Sequence, residues 1–423
     1  MFMVLYSLLL TIGLIVSAPW WLWRMATSGR YREGLRERLG FVPAALRVAV
    51  AGKKTVWVHA VSVGEVLAAE RLIAELRQEL GQGWVIAVST TTDTGQKIAR
   101  ERLVGSPVFY YPLDFAFAVR AWLRVLQPSL FVLVESEFWP RMLVECERSG
   151  VPVAVVNARV SDRSFPRYMR LRRLWKPLLG KVSLFLAQGE ESAERLRAIG
   201  APVERVRVSG NLKYDLPPVA DNAMARRIKE QRGASRVIVA GSTHDGEEAM
   251  LLEAWPQILR GGPDFVLILA PRHPERFEKV WAEIQKTGFR SGRCSRLMAG
   301  DFELEGGMIL LLDTIGDLAA VYSAATVAFI GGSLVSKGGH NPLEAARFGK
   351  PIVMGKSYEN FREIVKGMGL IRLIEEKYLG EALISSSRHG QSHGRRGREY
   401  FEAQAGATAR TVAALVLLIG GKA

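Results

Sequence analysis

Thr55-Val56-Trp57-Val58-His59-Ala60-Val61-Ser62-Val63-Gly64-Glu65 is a short apolar, β-branched run that reaches a glycine and passes at once into a helical pattern. A buried strand feeding a helix through a tight corner is the opening half of a βαβ unit. The alternation continues outward from it. Strand candidates recur at 84–89, 108–111, 130–134, 153–157, 184–188 and 206–210, and again at 237–241, 265–270, 308–312, 327–330, 351–354 and 370–373. Amphipathic stretches separate them, so the pattern predicts an α/β protein with two Rossmann-like, doubly wound domains facing a cleft.

A chain of 423 residues is long enough for two such cores. The polar stretch 216–233, with Pro217-Pro218 near its start, is the expected linker. It leaves a first domain over 24–215 and a second over 234–423. Residues 386–398, rich in Ser, Gly, His and Arg, read as a loop before a closing helix over 399–418.

Residues 1–23 carry no charged side chain and end on Trp20, Trp21 and Trp23, while Arg24, Arg30, Arg32, Arg36 and Arg38 follow. About 20 apolar residues suffice to span a bilayer. Basic residues after the apolar stretch argue against a cleaved signal peptide and put the rest of the chain on the cytoplasmic side of a single-pass anchor. The net charge of +15 suits nucleic acid or an anionic membrane. No zinc-finger spacing or aromatic RNP pattern supports nucleic acid, so the membrane is the expected partner. Cys146 and Cys294 stand far apart with no cysteine or histidine near either, which suggests neither a disulfide framework nor a zinc site.

Candidate chemistry sits at strand ends. Glu65 lies at the strand-to-helix corner, where a catalytic carboxylate belongs, although a capping role for a first-turn glutamate reads equally well. Glu135 and Glu137, in Val134-Glu135-Ser136-Glu137-Phe138-Trp139-Pro140, end another strand and point the same way along an extended segment. Lys213, in Ser209-Gly210-Asn211-Leu212-Lys213-Tyr214-Asp215, is placed to neutralise a leaving phosphate. Between Arg159 and Lys181 the chain has eight basic residues against one acidic, interleaved with aromatic and aliphatic ones; Arg163, Arg167, Arg170 and Arg173 read as a lipid-phosphate or membrane surface.

In the second half, Ser242 and Thr243 follow one strand, and Pro271 and Arg272 another, supplying backbone donors and a fixed cation for a phosphate. Neither segment is a Walker A loop. Gly331-Gly332-Ser333 then opens a strand into Gly338-Gly339-His340-Asn341-Pro342-Leu343-Glu344. Proline at a helix start with exposed N–H groups suits an anion, and Glu344 is placed to accept from ribose hydroxyls. Ile315-Gly316-Asp317 adds contacts for a base or sugar.

The ordered motifs VSVGE (61–65), ESEFWP (135–140), SGNLKYD (209–215), PRHPERF (271–277), DTIGDL (313–318) and GGHNPLEAA (338–346) resemble the Kdo transferases of lipopolysaccharide and lipid A synthesis, over nearly the whole chain. The resemblance implies a GT-B type glycosyltransferase that moves Kdo from CMP-Kdo to the lipid A precursor, lipid IVA, with inversion and no divalent metal or other cofactor. It implies Glu65 as general base, assisted by Glu137 and Lys213, and an acceptor-binding first domain. The second domain would hold CMP through Arg272, Ile315, Gly316, Asp317, and residues 341–344, with Ser242, Thr243, Pro271 and Gly339 beside them. It places the enzyme on the cytoplasmic leaflet of the inner membrane. Family members read NPLEP and GPH where this chain has Asn341-Pro342-Leu343-Glu344-Ala345 and Gly355-Lys356-Ser357. Two other readings are a GT-B enzyme using a UDP-sugar and a non-catalytic, membrane-anchored nucleotide-binding protein. VSVGE and PRHPERF speak against the first, and acidic residues at two strand ends against the second.

Overall fold

The computed structural model describes residues 2–28, 33–216, 218–219 and 222–421. Arg30 and Arg32 of the basic flank and Pro217 of the linker lie outside the described residues. The chain forms two compact units, Met1–Asp215 with Gly406–Ala423, and Leu216–Ala405.

The first unit is built on seven parallel strands: β1 Lys54–His59, β2 Trp84–Thr90, β3 Val108–Tyr110, β4 Pro128–Val134, β5 Val153–Ala158, β6 Leu184–Ala187 and β7 Val206–Val208. Their order is β3-β2-β1-β4-β5-β6-β7. Alternation along β1 separates the two faces: Val56 and Val58 pack with Leu72, Ile73 and Leu130, whereas Trp57 packs with Phe109, Trp122 and Phe131. Burial on both faces is why these strands are continuously apolar.

The second unit repeats the plan with β8 Arg236–Thr243, β9 Phe265–Pro271, β10 Ser291–Arg293, β11 Ile309–Leu311, β12 Val327–Ile330, β13 Ile352–Gly355 and β14 Arg372–Ile374. The order is β10-β11-β9-β8-β12-β13-β14, again all parallel. Strand order reverses between β1 and β4 in one unit and between β8 and β12 in the other, the switch points where doubly wound sheets bind ligands.

Three expectations change. The stretch 386–398 is not a loop: helices Leu379–His389 and Gln391–Gln404 run through it. Residues 216–233 include a helix, Ala223–Gln231. The closing helix breaks at Gly406, and its second part, Ala407–Ile419, belongs to the first unit. Val412 and Leu415 join Leu72 and Leu76 in that core, and the Asp215 carboxylate accepts from the N–H groups of Gly406 and Thr408. Residues 391–419 also match a membrane span in length and composition, but this burial makes Ala407–Ile419 a core helix.

Helix Phe2–Ser28 extends the expected anchor by five residues and is long and apolar enough to cross a membrane. Leu5, Leu8, Leu9, Ile12, Val16 and Trp23 are exposed along it, which is compatible with a membrane anchor.

Candidate active site

At the switch point of the first unit, Glu65 enters from the β1 corner in the first turn of helix Val63–Leu80. Its carboxylate accepts from the Val61 N–H at 2.7 Å and the Ser62 hydroxyl at 3.0 Å, as a capping glutamate does. These bonds orient the group and leave it lone pairs for a substrate proton. Burial pushes the carboxyl up to about 7, and Glu135 and Glu137 across the switch point add to the rise, against the two hydrogen bonds. Glu65 is thus a carboxylate that exchanges a proton near neutral pH.

Glu135 follows β4 directly in a left-handed conformation (φ 63°), uncommon for a residue with a side chain. The bend leaves Glu137 exposed, its carboxyl raised by partial desolvation and by Glu135. Ser136 is held from the basic segment: its hydroxyl accepts from the Arg159 N–H at 3.0 Å and its carbonyl from Tyr168 at 3.3 Å. Tyr168 and Trp175 also pack on Phe138. The helices Phe165–Arg170 and Arg172–Leu179 therefore buttress the acidic turn with their aromatic side, while Arg163, Arg167, Arg170 and Arg173 face solvent and make no ion pair among the described residues.

Lys213 sits in a short turn, Leu212–Tyr214, packed on the Glu65 helix. Asn157, left-handed at the end of β5 (φ 52°), accepts from the Leu212 N–H at 3.0 Å, and Asn211 donates to Gln188 at 3.1 Å. Asn157 and Gln188 had no motif to reveal them; a buried asparagine ending an apolar strand was the available signal.

In the second unit the sequence candidates divide. At the β8–β12 switch point, Ser242 is left-handed (φ 55°) and its carbonyl lies where a Cβ on Gly331 would sit, at 2.3 Å, so only glycine fits there. Glu247, which the motifs did not flag, is 0% exposed and accepts from the N–H groups of Gly332, Ser333, Leu334 and His244 at 2.6 to 3.0 Å. The glycine loop is thus filled by an internal carboxylate rather than open to phosphate. Thr243 and Pro271 are scaffold: the Thr243 hydroxyl bonds Glu248, and Pro271 is a buried strand end. Gly339 pairs back to Gly332, bringing His340 to His244.

Burial raises the Glu344 carboxyl, against Arg272 and Arg347, while Arg272 itself is exposed and its charge helps lower His340. Glu344 and Gly316 line a cavity of about 220 Å³ together with Asn222, Ala320 and Arg347. Asp317 accepts from Asn222 at 2.7 Å beside it, whereas Ile315 is 80% exposed. Asn341 does not open the helix start to an anion, because its side chain already accepts from the Leu343 N–H at 3.0 Å. Pro342 and Leu343 are buried behind it. Asn222 and Arg347 complete this cavity and lie outside every motif. Among the described residues, no three His, Cys, Asp or Glu side chains gather as metal ligands, and both cysteines are buried and free.

A 3-deoxy-D-manno-octulosonic-acid transferase (kdotransferase) family model matches residues 33–216. The chain is 33% identical over 90% of its length to 91% of the 3-deoxy-D-manno-octulosonic acid transferase of Haemophilus influenzae. It is also 33% identical over 93% of its length to 94% of the Bordetella pertussis enzyme of that name. A putative UDP-N-acetylglucosamine 2-epimerase from Listeria monocytogenes superposes with a TM-score of 0.55 at 13% identity, covering 88% of this chain and 97% of that one, a likeness of fold alone. With two doubly wound units of GT-B type and acidic groups at the first switch point, the chain belongs to the Kdo transferase family of glycosyltransferases.

Proposed function

We propose that the protein transfers Kdo from CMP-Kdo to a lipid A precursor, lipid IVA, at the cytoplasmic leaflet of the inner membrane, by an inverting and metal-independent displacement. The observation that carries the reading is Glu65, a buried carboxylate at the first switch point with its pKa pushed up to about 7. An acceptor hydroxyl is a poor nucleophile until its proton is removed as the new bond forms, and a positioned base of matched pKa contributes about 10² to 10⁴-fold.

In the proposed step the acceptor oxygen bonds to the anomeric carbon from the face opposite the phosphate. The bond from that carbon to the phosphate oxygen breaks, CMP leaves with the electron pair, and the hydroxyl proton passes to Glu65. Glu137 and Lys213 support the charge that develops, and Arg272 meets the single leaving phosphate. The cavity bounded by Asn222, Gly316, Glu344 and Arg347 is assigned to the nucleoside, with Glu344 accepting from ribose hydroxyls. Transfer of labelled Kdo from CMP-Kdo to lipid IVA by the purified chain tests the reading. Transfer from a UDP-sugar in its place, or no transfer from CMP-Kdo, refutes it.

A further inference from the structure

The start of helix Phe2–Ser28 is tied to the first unit, and the chain rejoins that unit soon after the helix ends. At its start, the Tyr6 hydroxyl donates to Asp114 at 2.8 Å, and Arg141 donates to the Ser7 hydroxyl at 2.8 Å and to the Met3 carbonyl at 3.1 Å. Met3 packs against the core beneath. Asp114 and Arg141 are 2% and 8% exposed, so these are interior groups rather than surface chains that happen to reach the helix. Asp114 also accepts from the N–H groups of Arg141 and Met142 at the start of helix Pro140–Arg148, and Arg141 pairs with Glu145. At the other end, Glu33 pairs with Arg100 at 3.0 Å, and Glu37 accepts from the Tyr110 N–H at 2.7 Å. Five residues from Ser28 to Glu33 reach at most about 18 Å.

A helix of 27 residues is about 40 Å long, enough to cross the hydrocarbon core. If it crossed, residues 3–7 would face the far side, out of reach of Asp114 and Arg141. We propose that the helix is a monotopic anchor: it enters only the leaflet facing the first unit, and residues 3–7 stay latched on that unit's side. This replaces the single crossing expected from the charge distribution. The exposed aliphatic side chains of its middle then sink into one leaflet, with Trp20 and Trp23 near the headgroups.

The inference rests on the helix being a membrane anchor. The experiment uses the full chain with a protease-cleavable epitope ahead of Met1, expressed in a Gram-negative host. Cleavage is expected in inverted inner-membrane vesicles and not in spheroplasts. Cleavage in spheroplasts, or in neither preparation, overturns the latch. A chain recovered in the soluble fraction refutes the anchor itself, while transfer from CMP-Kdo is scored separately. The Tyr6→Phe, Ser7→Ala double variant, which keeps the helix apolar, should be cut several-fold faster in inverted vesicles. An unchanged rate shows that these bonds hold nothing, and it too overturns the proposal.

Discussion

The Nε2 atoms of His244 and His340 lie 2.8 Å apart, and their rings stack 4° from parallel. The pair bridges the strand-order reversal of the second unit, one histidine following β8 and the other β12. One ring must donate and the other accept, so at most one of the two facing nitrogens carries a proton. Burial pushes His340 down to about 4, and His244, His273 and Arg272 act in the same direction. His244 is also lowered, by burial first and then by His273, Lys337 and Arg276, against Glu248.

That depression sets a pH dependence with a definite sign. Between pH 6.5 and about 4 the unfolded chain binds a proton that folded His340 refuses, so the His340 contribution to stability falls as pH drops through this window, while Glu65, raised to about 7, contributes with the opposite sign. Urea denaturation followed at steps across it should show the midpoint of the parent falling relative to that of His340→Asn. A slope unchanged in the variant would assign the acid sensitivity elsewhere.

Glu65→Gln keeps the shape and the acceptor oxygen of the side chain but cannot take a proton. Transfer should fall at least about 10²-fold, with CMP affinity unchanged because the nucleotide is assigned to the second unit. In the parent enzyme kcat/KM should rise with pH up to about 7 and then level, as the carboxyl becomes a base. The residual activity of the variant should lack that limb. Steady-state kinetics against pH, with calorimetric CMP binding, decides the point.

Glu247 holds the glycine loop through the N–H groups of Gly332, Ser333 and Leu334 and accepts a fourth from His244, and no neutral side chain replaces that. Glu247→Gln turns an NH₂ toward N–H donors that already point inward. Loss of charge-assisted bonds together with a buried mismatch should cost about 3 kcal/mol, read from denaturant midpoints, and should weaken CMP binding in parallel.

Much of this was legible because it is local. The runs of valine and isoleucine in β1, β5 and β8 are strands wherever they sit, and the glycines beyond them mark the corners where Glu65 and Ser242 appear. Ser291–Arg293 was missed because Ser-Gly-Arg has no apolar run; it is a strand only through its pairing with Ile309–Leu311. Residues 386–398 looked like a loop, yet their small residues permit close packing: a Cβ on Gly394 would lie 2.1 Å from the Gly349 carbonyl. The period of 407–419 showed an apolar face but not which core it would cover. The His244–His340 pair and the Glu247 cradle join positions far apart in sequence, which no local pattern encodes.

Lys213 makes no hydrogen bond or ion pair through its side chain among the described residues, and Arg272 is exposed beside His340. If these cations carry the phosphate charge, EDTA should leave transfer within about twofold of the untreated rate, while Arg272→Ala should cost about 10²-fold, the scale of losing one fixed charge-stabilising group. Loss of activity on chelation, restored by Mg²⁺, would transfer that role to a metal.

Arg167, Arg170 and Arg173 are exposed on helices whose aromatic side chains, Tyr168 and Trp175, pack against the acidic turn. Met169, Leu171 and Leu174 are exposed among them, the mixture expected of a surface that meets headgroups and the upper acyl chains. Each basic side chain near an anionic surface contributes about 1 kcal/mol, so three together shift binding by about two orders of magnitude. Replacing all three with Gln should raise the KM for lipid IVA and weaken binding to anionic liposomes. The KM for CMP-Kdo should hold, since the donor is assigned to the other unit. Salt should reproduce the variant in the parent enzyme, because screening acts over about 8 Å at physiological ionic strength and over less above it. Tyr168→Phe separates docking from support: it removes the bond to the Ser136 carbonyl and keeps every charge, so kcat should fall while the acceptor KM stays put. If the triple variant keeps its acceptor KM and its liposome binding, the segment only buttresses the acidic turn, and the acceptor docks elsewhere on the protein.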